Sequence, residues 1–402
     1  MSQSRSGFAS RSRGLDLILA VVLATVSIAV VLGLFELALR LAGYRAIYEM
    51  YSKPSIFWIY DPLLGWSHQP GASGEYVGPR PWPVEFRARV DINSLGLRGP
   101  EIEPLPPGGR RIMILGDSMV AGFEVSYEKS FTALLEKQLS QSLGTSVQVV
   151  NAGVRGYGTD QSYLYYRERG RQLRPEFVVF FYSGNDPVDN TTLHEMRRPF
   201  GKPAFTMDPG GSLKLVGSPV PQYPMCSEYR VTSRFELERL DSALSRGVCD
   251  AEMTLFDHSA LFSFATLLVP WNDFLLRRLY YVGNPHLSFD PNGARQDGSD
   301  EYSYRLTRAL LLQTGHEVAQ DGAGYMVIGE RQQLDGLGAQ RLRSAGVEVV
   351  DLEPIEGASR QEIRFRRDGH YNEVGHKRLA QFLAPLLQRR LEARSQSGTA
   401  GR

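Results

Sequence analysis

The chain has 402 residues, with 45 Lys and Arg against 44 Asp and Glu, a formal net charge of +1 and only 2 Cys. This balanced charge argues against a nucleic-acid-binding protein, which usually carries a basic excess. Two cysteines exclude a disulfide-dense scaffold and a four-cysteine zinc site. At about 100–200 residues per domain, the length allows two to four domains or one large domain with insertions.

The N-terminal region contains an uncharged run, Leu17–Phe35, that is long enough to cross a membrane. At about 1.5 Å per residue it spans roughly 28 Å, close to the ~30 Å hydrocarbon core of a bilayer. Three arginines and one aspartate precede it. We therefore predict a cytoplasmic tail at 1–16, a single-pass anchor of the cytoplasmic membrane at 17–39, and the rest of the chain outside the cytoplasm. A cleaved signal peptide is the alternative, although its apolar run would be shorter and a small-residue cleavage site would follow it.

The rest of the chain divides by composition. Residues 40–108 are rich in Pro, Gly and aromatics, which predicts an ordered extension packed on a domain, since a free linker would not carry so many aromatics. Residues 109–394 form the predicted catalytic domain, and the small polar residues 395–402 a flexible tail.

Short apolar runs alternate with helical patterns from residue 111 onward. This alternation predicts an α/β fold, a three-layer α/β/α sandwich around a parallel sheet. The predicted strands are 112–115, 147–150, 177–182, 325–328 and 347–350. The predicted helices are 130–143, 160–173, 301–319 and 373–394, the last kinked at Pro385.

Residues 187–300 interrupt this alternation and are interpreted as an insertion with Gly/Pro loops and a helix around 234–246. Outside the cytoplasm, Cys226 and Cys249 could form a disulfide worth ~3 kcal/mol in the loop-entropy model, with two buried thiols as the alternative. The aromatic-rich stretch 261–281 suits ordinary core, although a substrate groove, a lipid contact or a partner surface would use the same residues.

The first predicted strand runs directly into Gly116, Asp117 and Ser118. Ligands bind at the carboxyl ends of strands in open α/β sheets. Ser118 would lie at the start of the next helix, where free N–H groups favour a developing negative charge, as a nucleophilic serine requires. The alternative is that Asp-Ser only caps that helix, since both residues are favoured caps.

Three further blocks accompany this serine. Asn151-Ala152-Gly153 and Ser183-Gly184-Asn185-Asp186 follow the second and third strands, where a Gly N–H and an Asn amide would suit an oxyanion hole, or simply a turn. Near the C-terminus, Asp368-Gly369-His370 offers the base that a serine needs and a carboxylate to orient it. His376, further along, is interpreted as structural.

In chain order these blocks resemble the Ser, Gly, Asn and His motifs of the SGNH (GDSL-type) hydrolase superfamily. The resemblance covers about residues 109–392, and four ordered motifs are far more specific than any one of them. With the anchor and the segment 93–98 (Asn-Ser-Leu-Gly-Leu-Arg), the chain is similar to a membrane-anchored bacterial envelope branch.

The resemblance implies a role for each matched residue. Ser118 would be the nucleophile and its N–H an oxyanion donor, together with the Gly153 N–H and the Asn185 side chain. His370 would be the general base and Asp368 would orient it.

Two blocks depart from the family pattern. Ser183 stands where a glycine often begins the third block, and one residue instead of two separates Asp368 from His370, a spacing found in carbohydrate-modifying branches. The serine also lies outside a Gly-x-Ser-x-Gly elbow, which disfavours an α/β-hydrolase.

Other charged residues suggest little further chemistry. Arg364, Arg366 and Arg367 would attract an anionic substrate or simply form a solvated face. His370 and His376 lack the one-turn spacing of paired metal ligands, so we expect no metal and no cofactor.

The combined prediction is an extracytoplasmic serine esterase that removes acyl groups, such as acetyl, from an envelope or extracellular glycan through an acyl-enzyme. An O-acyltransferase would use the same Ser-His site, with a sugar hydroxyl in place of water. A rival of another class is a non-catalytic subunit of a membrane assembly. The sequence identifies no protein partner.

Overall fold

A computed structural model describes residues 6–44, 57–78, 84–191, 201–220, 254–255, 258–268, 300–356 and 360–399 of the chain. The helix predicted around 234–246, both cysteines of the predicted disulfide, and positions 269–281 of the aromatic stretch lie outside these residues.

The N-terminal apolar run belongs to one long helix, α1 (Ser6–Leu41). Its 28-residue segment Gly14–Leu41 is long and apolar enough to cross a membrane, and the apolar window is exposed. The helix also includes residues 6–16, which were predicted as a tail. Extending an existing helix requires less free energy than nucleating one, so helices readily continue into polar flanks.

The extension that follows forms two antiparallel hairpins. The first joins β1 (Trp58–Asp61) to β2 (Gly65–His68), and the second joins β3 (Ser73–Gly78) to β4 (Phe86–Asp91). The Trp66 side chain of β2 is fully buried and donates from Nε1 to the backbone oxygen of Arg155 at 3.1 Å. The extension therefore packs directly on the α/β part of the chain.

The first half of the α/β domain alternates strands and helices as predicted. The helix predicted at 160–173 ends early, because a 3-10 turn at Gly170–Leu173 follows it. The elements are β5 (Arg110–Gly116), α2 (Ser118–Ala121), α3 (Phe131–Leu143), β6 (Val147–Gly153), α4 (Thr159–Glu168), β7 (Phe177–Phe181) and α5 (Asp186–Asp189).

The insertion contains a hairpin that the sequence did not predict, formed by β8 (Ala204–Met207) and β9 (Leu213–Val216). Just before β8, the buried Lys202 forms an ion pair with the buried Asp160 of α4. A buried charge pair of this kind fixes the start of the insertion on the α/β domain.

A second part of the insertion contacts the N-terminal helix. The apolar helix α6 (Ala260–Leu268) begins beside Glu36 of α1. The Glu36 carboxylate accepts hydrogen bonds from the backbone N–H groups of Ala260, at 3.0 Å, and Leu261, at 2.8 Å. These N–H groups have no partner within their own helix, so Glu36 caps α6.

The second half of the domain resumes the alternation. Its closing helix passes through Pro385 and continues to Thr399, beyond the predicted end at 394. The elements are α7 (Asp300–Gln320), β10 (Gly324–Gly329), α8 (Arg331–Leu337), α9 (Ala339–Ser344), β11 (Glu348–Asp351), α10 (Glu353–Glu356), α11 (Arg360–Ile363) and α12 (Glu373–Thr399).

The five strands of the central sheet lie in the order β11-β10-β7-β5-β6 and all pair in parallel. β5 thus has β6 on one side and β7 on the other, so the chain changes direction across the sheet at this point. Ligands of such folds bind at the carboxyl ends of the strands beside this reversal. The predicted α/β fold with a parallel sheet is confirmed.

Each face of the sheet has its own core. On β5, the fully buried Ile112 and Ile114 belong to the cluster covered by α3 and α12. The alternate residues Met113 and Leu115 belong to the cluster on the side of α4 and α7. Burial on both faces explains why residues 112–115 of β5 are continuously apolar rather than alternating.

Candidate active site

In the turn after β5, helix capping and the candidate nucleophile belong to two different residues. Gly116 has φ +152°, and a Cβ there would lie 2.7 Å from Val120 Cγ2, so only glycine fits this turn. The Asp117 carboxylate accepts the N–H of Met119 at 2.9 Å and caps α2. Ser118 is the first residue of α2, and its partly exposed side chain is not used as the cap. Asp117 therefore caps the helix, whereas Ser118 does not.

The structure brings Ser118 and His370 together, although 252 positions separate them. Ser118 Oγ lies 2.8 Å from His370 Nε2, and Asp368 Oδ1 is hydrogen-bonded to His370 Nδ1 on the other side of the ring. Asp368 Oδ1 also accepts the backbone N–H of His370 at 3.3 Å. The intervening Gly369 has φ +86°, a conformation that L-residues rarely adopt.

This order, hydroxyl to imidazole to carboxylate, is the arrangement in which a serine can be deprotonated. The imidazole can accept the hydroxyl proton at Nε2 while the carboxylate stabilises the positive charge. Burial lowers the pKa of His370, but the negative charge of Glu124 and the hydrogen bond to Asp368 outweigh it, so the net pKa shift is upward. Burial raises the pKa of Asp368, yet its hydrogen bond to His370 makes the net shift downward.

Arg364 stabilises the loop that carries His370. Arg364 is buried, forms an ion pair with Glu330 and donates to the backbone oxygen of Gly369 at 2.7 Å. Its guanidinium also lies 4.3 Å from the centre of the Tyr371 ring. Arg364 therefore has a structural role, unlike the other two residues of the predicted arginine cluster. Those two, Arg366 and Arg367, are exposed.

The second block holds the serine helix in place. Asn151 Nδ2 donates to the backbone oxygen of Val120 at 2.8 Å, and Asn151 Oδ1 accepts the N–H of Gly153 at 3.1 Å. A Cβ on Gly153 would lie 2.5 Å from the backbone nitrogen of Ala121, so the position requires glycine. Because Gly153 N–H already has an acceptor, its predicted oxyanion role requires a substrate oxygen to share or replace that bond.

Asn185, in the third block, is exposed and follows β7 at the same end of the sheet. Its amide donates to Asp189 Oδ2 at 2.7 Å, which leaves the second N–H of the amide available for another acceptor. Burial raises the pKa of Asp189 to about 7. Burial also raises the pKa of Asp186, whose Oδ2 accepts the hydroxyl of Thr159 at 3.0 Å.

Two charged residues that the sequence analysis did not select lie beside the histidine. Glu124 Oε1 is 3.5 Å from His370 Nδ1 and forms an ion pair with Arg155. The only sequence signal for Glu124 is a single acid within an apolar stretch, 120–125. Acids are rarely fully buried unless they are paired, so such a residue warrants attention.

The second histidine, His376, is structural as interpreted from the sequence. It is buried, and its Nδ1 accepts the N–H of Phe131 at 3.1 Å at the start of α3. The imidazole also stacks on the Phe131 ring, with centroids 5.9 Å apart. Burial lowers the pKa of His376 to about 3, and the nearby positive charge of Arg98 adds to this shift.

This buried imidazole predicts loss of stability in acid. The unfolded chain takes up a proton at His376 below about pH 6.5, whereas the folded chain stays neutral to about pH 3. The free energy of unfolding therefore falls as the pH drops through this window, by about 2 kcal/mol at pH 5. Thermal unfolding at pH 7 and pH 5 should show a smaller acid shift for His376→Gln than for the wild type. The exposed His316→Gln should behave like the wild type, and equal shifts in all three proteins would contradict the prediction.

Comparison with known proteins agrees with this site. The GDSL-like Lipase/Acylhydrolase family matches residues 114–217, which contain the first three blocks. No curated protein matches the chain.

Several solved structures are similar at low identity. A lipase/acylhydrolase from Enterococcus faecalis is 12% identical, covers 70% of this chain and 96% of its own, and has a TM-score of 0.36. A psychrotrophic esterase from Pseudoalteromonas sp. is 10% identical over 70% of this chain and 99% of its own, with a TM-score of 0.37. A catalytic mutant of an acetylxylan esterase from Geobacillus stearothermophilus is 13% identical over 68% and 92%, with a TM-score of 0.33.

The four ordered blocks, the parallel sheet and the family match agree with one another. They agree that the region 114–217 is similar to the GDSL-like Lipase/Acylhydrolase family.

Proposed function

We propose that the chain is a membrane-anchored serine esterase that removes acyl groups, acetyl among them, from a glycan outside the cytoplasm. The observation that carries the catalytic part is the continuous hydrogen-bonded series from Ser118 through His370 to Asp368. The anchored location rests on the exposed apolar segment Gly14–Leu41 and on the arginines that precede it.

The proposed reaction has two steps, acylation of Ser118 and hydrolysis of the acyl-enzyme. Ser118 Oγ attacks the ester carbonyl while His370 Nε2 takes the hydroxyl proton, and the imidazolium then gives that proton to the departing alcohol. This leaves an acyl-enzyme on Ser118. A water molecule, deprotonated by the same nitrogen, attacks the acyl carbon. The bond between the acyl carbon and Ser118 Oγ then breaks, the imidazolium returns the proton to Oγ, and the acid leaves. Asp368 stabilises the imidazolium in both steps.

The oxygen that becomes negative in each step needs hydrogen-bond donors. We assign this role to the backbone N–H of Ser118, the second N–H of the Asn185 amide and the N–H of Gly153. One preorganised donor of this kind is worth roughly 10²- to 10³-fold in kcat. Asp189 would hold the Asn185 amide with its nitrogen towards the site, because its carboxylate accepts one of the two N–H groups.

The glycan substrate follows from the compartment and from the Asp-x-His spacing shared with carbohydrate-modifying branches of the superfamily. Glycans outside the cytoplasm offer acyl esters on sugar hydroxyls. A sugar hydroxyl in place of water in the second step would make the protein an O-acyltransferase with the same residues. The two activities differ only in the acceptor that resolves the acyl-enzyme.

A phosphonate probe tests the catalytic proposal directly. The full chain, purified in detergent, should release acetate from acetyl esters and acetylated oligosaccharides. A serine-reactive phosphonate should stop the reaction and attach to Ser118, as mass spectrometry of the labelled peptide would show. Acetate released into solution would indicate an esterase, and acetyl groups appearing on an added glycan a transferase. Absence of both turnover and labelling would favour the non-catalytic subunit instead.

A further inference from the structure

The imidazole of His370 faces two carboxylates. Asp368 Oδ1 is hydrogen-bonded to Nδ1, and Glu124 Oε1 lies 3.5 Å from the same nitrogen. That second distance exceeds an ordinary hydrogen bond, but two charges so close interact strongly when water is excluded. The Glu124 side chain is fully buried, so it cannot reach a substrate in solvent.

Arg155 explains why an acid is tolerated at this place. Its Nη1 forms an ion pair with Glu124 Oε1, and its guanidinium lies 5.0 Å from the centre of the Tyr76 ring. A buried carboxylate without a cation would take up a proton rather than stay charged. Glu124 Oε2 is also buried and has no hydrogen-bond partner among the described residues.

The position of Glu124 is fixed from outside the α/β domain. It lies between Gly122 and Val125, whose backbone oxygens accept hydrogen bonds from the buried guanidinium of Arg98. The guanidinium also donates to the backbone oxygen of Ala121, at 2.7 Å, and lies 5.6 Å from the centre of the Phe123 ring. The extension thus holds the segment that carries Glu124.

A metal site is the main alternative use of these groups. Glu124, Asp368 and His370 each offer a ligand atom, and these atoms lie within 4.8 Å of one another. The guanidinium of Arg155 already neutralises Glu124, and His370 Nδ1 is already bonded to Asp368. A divalent cation would have to compete with both contacts, so the geometry favours a proton site over a metal site.

We propose that Glu124 is a second positioning carboxylate for His370, which stabilises the imidazolium through Nδ1 alongside Asp368, with Arg155 paired to Glu124 on its other side. This role rests on the proposed esterase function. It requires no contact between Glu124 and the substrate, so its effect falls on kcat and not on KM.

Other charged groups around the imidazole bear on the test. Asp368 reaches it from its own loop and Glu124 from the segment after α2, whereas Asp117 approaches from the turn after β5. The opposing positive charge is Arg155, after β6, whereas His376, on α12, stays neutral above about pH 3. Glu124→Gln changes one of these charges and keeps the shape and one acceptor oxygen.

Glu124→Gln in the full-length, detergent-purified enzyme is the decisive variant. The acid limb of kcat/KM against pH should move to lower pH by about one unit, because the imidazolium loses a nearby negative charge. The plateau kcat should fall about tenfold, with KM unchanged, since acid–base catalysis is weakened and binding is not. The exposed Glu128→Gln removes the same charge four positions away and should leave the profile as in the wild type.

The outcomes separate the two proposals. If the wild type shows no Ser118-dependent turnover, the esterase function itself is wrong. If the wild type is active and Glu124→Gln retains both its acid limb and its kcat, the positioning role is overturned. If Glu124→Gln fails to fold in a thermal melt, Glu124→Asp decides instead. Its shorter side chain keeps the negative charge but draws it away from His370 Nδ1, so the acid limb should move to lower pH by less than about one unit, and an unmoved limb would reject the role.

Discussion

Replacing Ser118 with alanine is expected to lower kcat/KM for acetyl esters by roughly 10⁴- to 10⁶-fold, as removal of a serine nucleophile does when only binding and oxyanion donors remain. The hydroxyl is small and partly exposed, and Asp117, not Ser118, caps the helix. Alanine should therefore leave the fold intact. Initial rates with saturating and limiting ester, together with a thermal melt of the same preparation, measure both effects.

A matched serine variant controls for the substitution itself. Ser142 lies on the exposed side of α3, and Ser142→Ala should retain wild-type turnover. A Ser118→Ala enzyme within about tenfold of the wild-type rate would mean that another group attacks the ester.

Arg98→Met is expected to destabilise the protein by about 3–5 kcal/mol, the range found when one partner of a buried charged network is removed. The side chain is 2% exposed and donates to the backbone oxygens of Ala121, Gly122 and Val125. Methionine fills much of the volume but leaves these acceptors without their donor. Burial lowers the pKa of Arg98 to about 10, so it remains charged at neutral pH.

Two further variants sharpen that test. Arg98→Lys keeps the charge but lacks the planar fork that reaches several carbonyls at once, so its melting temperature should lie between those of wild type and Arg98→Met. Leu95→Ala alters an exposed residue in the same segment and should change stability by less than about 0.5 kcal/mol. An Arg98→Met protein that melts like the wild type would show that the extension contributes little to the folded domain.

The parts of the fold that were predictable are those with a local signal. β5 contains the apolar run 112–115 and ends at Gly116, and β7 is apolar throughout and lies just before a Ser-Gly-Asn turn. Such runs identify strands buried on both faces. The boundaries of α3 follow from Ser130, whose hydroxyl accepts from Ala133 N at 3.3 Å, and from Gly144 at its end. These signals lie within a few residues of the element that they define.

The insertion hairpin lacked such a signal. β8 and β9 are four residues each, and their stability comes from contacts with distant parts of the chain. Phe205 packs on Tyr163 of α4 with ring centres 5.5 Å apart, and Met207 N–H donates to the Tyr302 hydroxyl at 3.2 Å. The local sequence reads as a loop because tertiary packing, not propensity, makes it a strand.

The site divides in the same way. Ser118, Asn185 and His370 lie in ordered motifs that the sequence displays, and the structure adds which atoms meet. Glu124 and Arg364 could not be assigned, because their roles depend on partners far along the chain. Glu124 meets a histidine 246 positions later (370 − 124), and Arg364 is paired with an acid 34 positions earlier. A single sequence contains no record of such pairings.

The bond between Glu36 and the start of α6 bears on whether the N-terminal helix remains part of the protein. The carboxylate accepts the N–H of Ala260, 224 positions away, so the two segments meet only in the finished fold. A leader that is cut off and degraded would take this cap with it and leave the first turn of α6 without its acceptor. Retention of α1 for the life of the protein is the simpler expectation. A soluble fragment that begins after residue 44 would then lack a piece of the architecture as well as a tether.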